Sequence, residues 1–330
     1  MTDTLDTPVV MVIFNRPDRA EQVFARVREA KPRRLFVLAD GPRAGRDSDE
    51  ALCEETRAIA GRVDWSCEVT RDFSDVNLGC GGRVTSGLDR VFAEVEEAIV
   101  IEDDCLPHPT FFSYCAELLQ KYRGDERVFA ITGGKYPCEP RTQPYSYRFT
   151  RMFNGWGWAG WRRSWQSIDF AMAAYPEFTA QGGMAKHSRS LLETQFFSNG
   201  FDKAWKKEIE PWDWALMFQA YTRRQLFVTP DRNLISNTGW GAAATQSKNP
   251  KHILSNLPAF AMKLPLSHPP VVAEDEAMDR KVYSMIGPLV GPRLFRSVKK
   301  RLRWLRRNYY VRLHEEPPQL GPLRFGAGGR

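Results

Sequence analysis

Apolar positions in the first hundred residues alternate between two rhythms. "PVVMVIF" (residues 8–14) is an unbroken apolar run, as expected of a strand covered on both faces. "DRAEQVFARVREA" follows, with Ala20, Val23, Phe24 and Val27 at the spacing of one helical face. "RRLFVLAD" (residues 33–40) predicts a second strand, stopped by "GPR". "DSDEALCEETRAIAG" predicts a helix ended by Gly61, and "WSCEVTRD" (residues 65–72) a third strand. A glycine-rich turn, "NLGCGG", opens the helix "RVTSGLDRVFAEV", after which "AIVIEDD" reads as a fourth strand. Strand–helix units in series predict an α/β fold with a mostly parallel, Rossmann-like sheet flanked by helices.

A helix over "TFFSYCAELLQKYRGD" and a strand over "RVFAITGG" come next. From about Pro137 the alternation gives way to aromatic segments, "YSYRFTRMF", "NGWGWAGWRRSW" and "EPWDWALMFQAYTRRQLFVTP", read as the second half of the same domain. Residues 251–292 are proline-rich and poorly periodic, so they read as a connector. The final segment, "RLFRSVKKRLRWLRRNYYVRL", places Leu294, Val298, Leu302, Leu305 and Tyr309 on one helical face, with cations over the remainder.

Charge sharpens this division. The net charge is +7, but from Arg293 to Arg312 there are nine cations and no acid, which leaves the rest of the chain at −2. The basic character therefore belongs to the tail. The start, "MTDTLDTPVVMVIFNRPD", lacks the features of a secretion signal, and six scattered cysteines form no C-x-x-C pair. The expectation is a cytoplasmic protein with reduced thiols.

Candidate chemistry gathers at the predicted strand ends, where open α/β sheets present ligands. Asn15 and Arg16 follow the first strand, Asp40 the second, and Glu102, Asp103 and Asp104 the fourth. Three consecutive acids arise by chance about 0.6 times in a chain this acidic, so their position carries more weight than their identity. Adjacent carboxylates repel unless solvated, paired or neutralised by a cation. Mg²⁺ or Mn²⁺ binds through one or two carboxylates plus phosphate oxygens. A cation bridging a diphosphate would resolve the repulsion. Two rival readings fail: a phosphorylation receiver domain needs a later strand-end Asp that is absent, and a nicotinamide-binding domain needs G-x-G-x-x-G after the first strand, where "NRPDRAE" stands.

Taken together, "VIFNRPDRAEQVF", "NLGCGGRVTSGLDRVF", "VIEDDCLPHPTFFSYCAELLQKY", "GWGWAGWRRSW", "WDWALMFQAY" and "NLISNTGWG" resemble, in matching order from about Val9 to Gln246, bacterial glycosyltransferases related to the N-acetylglucosaminyltransferase I type. The resemblance implies a GT-A fold over residues 1–250, with a nucleotide-binding half at about 8–135 and an acceptor half at about 136–250. Residues 251–330 form the connector and basic tail. It further implies inverting, Mn²⁺- or Mg²⁺-assisted transfer from a nucleoside-diphosphate sugar, with a uridine donor favoured, to a glycan or lipid-linked acceptor in surface-polysaccharide assembly. By position, Phe14, Asn15 and Arg16 would meet the donor, Arg16 at its diphosphate. Asp40 would meet the nucleobase, Glu102 the sugar, Asp103 the ribose and Asp104 the metal. Asp213 would be the catalytic base. Apart from the resemblance, Trp156, Trp158, Trp161 and Trp165 read as core, or in part as a stacking surface for an acceptor sugar, since Gly155 and Gly157 let the backbone approach a ligand. Asn154, Gly155, Trp156, Trp158 and Trp212 are the acceptor candidates. The second acid that follows the tryptophan–aspartate pair in the enzyme naming the family is absent here.

Two alternatives stay open at this level: Asp213 as a helix cap, and a non-catalytic nucleotide-sugar- or glycan-binding protein on the same fold. The aromatic and leucine stripe of the tail suits an anionic membrane surface, with packing on its own domain as the alternative and no nucleic acid expected. The first option would place the protein on the inner face of the plasma membrane.

Overall fold

In a computed structural model, Val9, Met11 and Ile13 pack into one buried cluster while Val10 packs into another, the period of two that a doubly covered strand requires. The structure describes residues 4–137, 144–240, 252–286 and 293–314, the last segment with side chains from residue 302 onward. The N-terminal part runs β1 (Val9–Ile13), α1 (Pro17–Ala30), β2 (Arg34–Ala39), α2 (Asp47–Arg57), β3 (Glu68–Phe73), α3 (Gly79–Glu94) and β4 (Glu97–Glu102). The chain continues through β5 (Cys105–Pro107), α4 (Thr110–Tyr122), β6 (Val128–Thr132), β7 (Tyr147–Thr150) and β8 (Trp158–Trp161). Five helices follow: α5 (Arg162–Trp165), α6 (Tyr175–Ala180), α7 (Gly183–His187), α8 (Leu191–Trp205) and α9 (Trp212–Thr222). The last elements are β9 (Leu226–Pro230), β10 (Ile235–Asn237), α10 (Glu276–Ile286) and α11 (Arg293–His314).

Eight strands form one sheet in the order β3-β2-β1-β4-β8-β6-β9-β7. β1 pairs in parallel with β2 and β4, and β2 with β3, so the expected parallel core is present. β8 and β7 run antiparallel to their neighbours, making the sheet mixed on its aromatic side. β5 and β10 form a separate antiparallel ribbon beside the end of β4. On one face α1 and α4 cover the sheet with Val23, Phe24, Val27, Leu118 and Leu119. On the other, α3, α8, α9 and α10 contribute Leu88, Phe92, Phe197, Phe201, Leu216 and Val282.

Three boundaries differ from the sequence reading for physical reasons. The third strand starts at Glu68 and not Trp65, because the Trp65 indole donates to the Pro32 carbonyl at 2.9 Å and belongs to the connection. The glycine run is the first turn of α3 itself, where a Cβ on Gly81 would strike the Glu210 carboxylate. The proline-rich stretch also does more than connect. Leu257, Met262 and Leu266 are buried in it, and the Asp279 carboxylate of α10 accepts from the backbone N–H of Arg151 at 2.8 Å.

Candidate active site

Because β1, β2 and β4 are parallel, the residues that follow them emerge at one edge of the sheet. There a cleft of about 230 Å³ is lined by Phe14, Arg16, Asp40, Glu102, Asp103, Asp104, Gly155, Trp156, Trp212 and Asp213. Ten of the thirteen residues singled out by sequence thus share one cavity. The other three stand behind it. Asn15 donates to Asp49 Oδ1 at 2.9 Å. Asn154 is buried and accepts from the Trp156 N–H at 3.1 Å, shaping the turn that presents Trp156. Trp158 lies in β8 and stacks on Trp165 with ring centroids 6.2 Å apart, within the core.

The acid triad is drawn inward. Asp103 Oδ2 accepts from the Phe14 N–H at 2.9 Å, and Asp103 Oδ1 lies 3.4 Å from Arg16 Nη1. The same guanidinium nitrogen donates to Asp104 Oδ2. Burial alone would lower the Arg16 pKa, but the charges of Asp103 and Asp104 outweigh it and hold the guanidinium above its ordinary value. Burial, reinforced by the neighbouring carboxylates, pushes Glu102 and Asp103 above the usual carboxylate range. Arg16, with Arg19 acting from farther off, is the cation set against this acid cluster, in which Asp103 and Asp104 are buried and Glu102 half-buried.

A divalent cation fits that donor set. The carboxylate oxygens are hard ligands, and the cleft opens beside Asp104. Among the described residues no group of three or more His, Cys, Asp or Glu is arranged to hold a metal. A cation there would have to be held by few protein oxygens and completed by those of a ligand, as Mg²⁺ and Mn²⁺ are at phosphates.

Asp213 occupies the first turn of α9, and its Oδ1 accepts from the Trp214 N–H at 2.9 Å. Burial pushes its carboxyl up to about 7, against the lowering effect of that backbone donor. A helix N-terminus favours the ionised form, so desolvation is the larger effect here. The carboxylate bonds the next N–H of its own helix while facing the cleft, and the N-cap position is Pro211, with no side-chain cap bond.

Asp40 is committed internally as well. Its Oδ1 accepts from the N–H groups of Gly41 at 2.9 Å and Leu78 at 2.8 Å, and its Oδ2 from Asn77 Nδ2 at 3.0 Å. It ties the end of β2 to the turn entering α3, which carries Asn77, Gly79 and Cys80 into the cleft.

Sequence reasoning missed Arg43, Asn77, Cys80, Asn237 and Gly239, all of which line the cavity. Arg43 sits over the Phe14 ring at 5.3 Å and is gripped by Asp49, with Nε to Oδ2 at 2.6 Å and Nη2 to Oδ1 at 2.9 Å. Its signal was available, as a cation just beyond the second strand end. Asn237 and Gly239 stand in the segment "NLISNTGWG", but only the β5–β10 ribbon brings them to Asp104.

No family model matches the chain, and no curated protein matches it. Solved structures do. Apo UDP-glucose pyrophosphorylase aligns at 10% identity and a TM-score of 0.36, over 71% of this chain and 93% of that one. UDP-glucose pyrophosphorylase complexed with UDP-glucose aligns at 12% identity and 0.34, over 68% and 90%. 4-Diphosphocytidyl-2C-methyl-D-erythritol synthase from Anaerococcus prevotii aligns at 11% and 0.29, over 60% and 84%. Likeness this distant carries no argument about chemistry.

Proposed function

We propose that this protein is a metal-assisted inverting glycosyltransferase of the GT-A type. It would move a sugar from a nucleoside-diphosphate sugar, with uridine favoured, to a glycan or lipid-linked acceptor in bacterial surface-polysaccharide assembly. One observation carries the reading: a carboxyl held near neutrality, Asp213, lines the same cleft as Arg16 and the acid triad.

Inverting transfer is one displacement at the anomeric carbon. The acceptor oxygen forms its bond as the sugar–phosphate bond breaks, the electron pair leaving on the diphosphate. A base must take the hydroxyl proton, and a group with pKa near the working pH suits that task. Asp213 supplies it. Charge building on the diphosphate is met by Arg16, fixed through Asp103 and Asp104. A bound cation, held by Asp104 and the donor's phosphate oxygens, would add electrostatic stabilisation of the leaving group. Glu102 and Asp103 face the donor's sugar and ribose, while Asp40 sets the Asn77 turn on the nucleobase side. Gly155, Trp156 and Trp212 form the acceptor wall, where indoles suit the apolar faces of sugar rings.

The test begins with thermal shift across nucleotide sugars, with and without Mn²⁺, because a ligand of the native state raises the melting temperature. Asp213→Asn should keep the shift and lose product formation. If no nucleotide sugar raises the melting temperature, the reading is wrong. A shift without turnover by the unaltered protein would leave only a binding function.

A further inference from the structure

Helix α11 turns its apolar stripe outward. Among the large apolar side chains, Leu302 is 49% exposed, Leu305 49%, Tyr309 54% and Leu313 48%, whereas Tyr310 is fully buried. At steps of three and four these four share one face, while Trp304, 55% exposed, lies off it. The face that meets the body is a different one. Arg303 Nη2 donates to the Ser284 carbonyl at 2.8 Å, and Arg307 Nη2 to the Ser255 carbonyl at 3.0 Å. The Tyr310 hydroxyl accepts from the Asn233 N–H at 2.7 Å, its ring lies 5.4 Å from Lys135 Nζ, and His314 packs on it at 4.4 Å. An amphipathic helix that only packed on its own domain would bury leucines and expose arginines. This one buries a tyrosine among polar contacts and leaves the leucines in solvent.

We propose that this exposed face of α11 docks on an anionic lipid surface and so brings the cleft, which a row of rings connects to the helix, close to an acceptor that is a membrane-embedded lipid-linked glycan. Charge names the occupant. Nine cations and no acid stand between Arg293 and Arg312, and Arg306 and Arg312 lie to either side of the stripe when it is wound at the helical repeat. Lipid headgroups of negative charge meet the cations while the leucines and Tyr309 enter the headgroup–acyl boundary. A second copy of the chain would bring nine like charges against nine, and nucleic acid offers nothing to a leucine face.

Placement connects the helix to the site. His252 sits close enough to α11 that the charge of Arg303, after burial, holds its imidazole below the ordinary range. The His252 ring stacks on Trp240 at 4.6 Å, and Trp240 meets Trp156 edge-on at 6.0 Å. Trp156 lines the cleft. Three aromatic rings therefore run from the docking helix to the acceptor wall. The acceptor's identity rests on the glycosyltransferase reading; docking rests on α11 alone.

Sedimentation of the full chain with phosphatidylcholine vesicles, with and without phosphatidylglycerol, tests the docking. Retention should require phosphatidylglycerol and weaken as salt screens the charges. Replacing Leu302, Leu305 and Tyr309 together by Ser should cut retention about tenfold or more with an unchanged melting temperature. Reversing charge with Arg306→Glu and Arg312→Glu should do the same. Hydrogen exchange should slow in α11 on adding phosphatidylglycerol vesicles. Equal retention of the Ser variant, retention indifferent to lipid charge, a self-associating chain, or salt-sensitive DNA binding without vesicle binding would each overturn the proposal. Failure of the transferase reading looks different: vesicles would still be bound, but no nucleotide sugar would shift the melting temperature.

Discussion

A Cβ placed on Gly239 would stand 2.0 Å from Oδ2 of Asp104, so the backbone of the segment after β10 closes directly over the last acid of the triad. That oxygen is the one to which Arg16 donates. Alanine at 239 cannot fit unless the carboxylate swings away and gives up the arginine. Gly239→Ala should therefore weaken Mn²⁺-assisted donor binding by about tenfold or more while the fold persists, as a misplaced ligand costs affinity through geometry. Calorimetric titration of the donor with and without Mn²⁺ checks it; equal affinity in the variant would show that Asp104 is not held for a cation.

Asp49 supports the opposite wall. It is almost fully buried, accepts from Arg43 and Asn15, and is held by the Arg43 guanidinium down to about 2. A carboxylate depressed in the folded state contributes stability above its unfolded pKa and loses it as pH falls through the folded value. Asp49→Asn should destabilise by about 1–3 kcal/mol at neutral pH, the range for a buried hydrogen bond to a charged group. The deficit should shrink as pH falls from about 4 toward 2. Urea unfolding across that window measures it, and a deficit that stays constant would place the stabilisation elsewhere.

The parallel half of the fold was legible because each strand there is an apolar run bounded by polar turns, a signal local to the chain. The polar residues that close three of those strands, Arg16, Asp40 and Glu102 to Asp104, meet in one cleft. What stayed hidden depended on long-range pairing. β5 is three residues long and becomes a strand only by meeting Ile235–Asn237 across more than a hundred residues. β7 and β8 enter the sheet antiparallel, carried by aromatic residues whose pattern is the same for strand, turn or ligand wall. Trp156 and Trp158 illustrate the limit. Two residues apart and chemically identical, one faces the cleft and the other stacks in the core, a choice made by the positive φ of Gly157 between them and not by any periodicity. The outward stripe of α11 is the reverse case: the pattern was readable, and only packing shows which face is covered.

Arg151 joins the chain's last third to the sheet. Its Nη1 donates to Glu193 Oε1 and its Nε to Glu274 Oε2, both at 2.9 Å, with all three side chains nearly excluded from solvent. Removing the arginine takes the buried cation from both glutamates and leaves them only Arg189, which reaches Glu274 Oε2 at 3.3 Å and gives its N–H to Glu193 Oε2 at 2.8 Å. Arg151→Met should cost about 3–5 kcal/mol, read as a lower urea midpoint. Donor affinity of the folded fraction should be unchanged, because none of the three lines the cleft. A loss of donor affinity equal to the loss of stability would mean that the cluster shapes the site as well.

The pH dependence of turnover follows from Asp213. A base must be ionised to accept a proton, and burial lifts this carboxyl to about 7, so kcat/KM should climb with rising pH and level off above about 7. Stability should move the other way. A carboxyl whose folded pKa exceeds its unfolded value binds a proton more tightly in the folded state, so its contribution is full below about 4 and is lost as pH rises through about 7. Asp213→Asn removes the ionisation. The variant should gain about 1–3 kcal/mol relative to the unaltered protein at pH 8 and little at pH 4, the upper end discounted because the side chain keeps partial access to solvent. Its residual turnover should be lower by about 10²–10⁴ and flat across the interval where the unaltered protein rises. A capping carboxylate would behave oppositely in both respects: ionised throughout, it would leave the rate without a step near 7, and its loss would destabilise the helix at high pH. Rate and stability measured on the same two proteins across pH 4 to 9 therefore decide between base and cap.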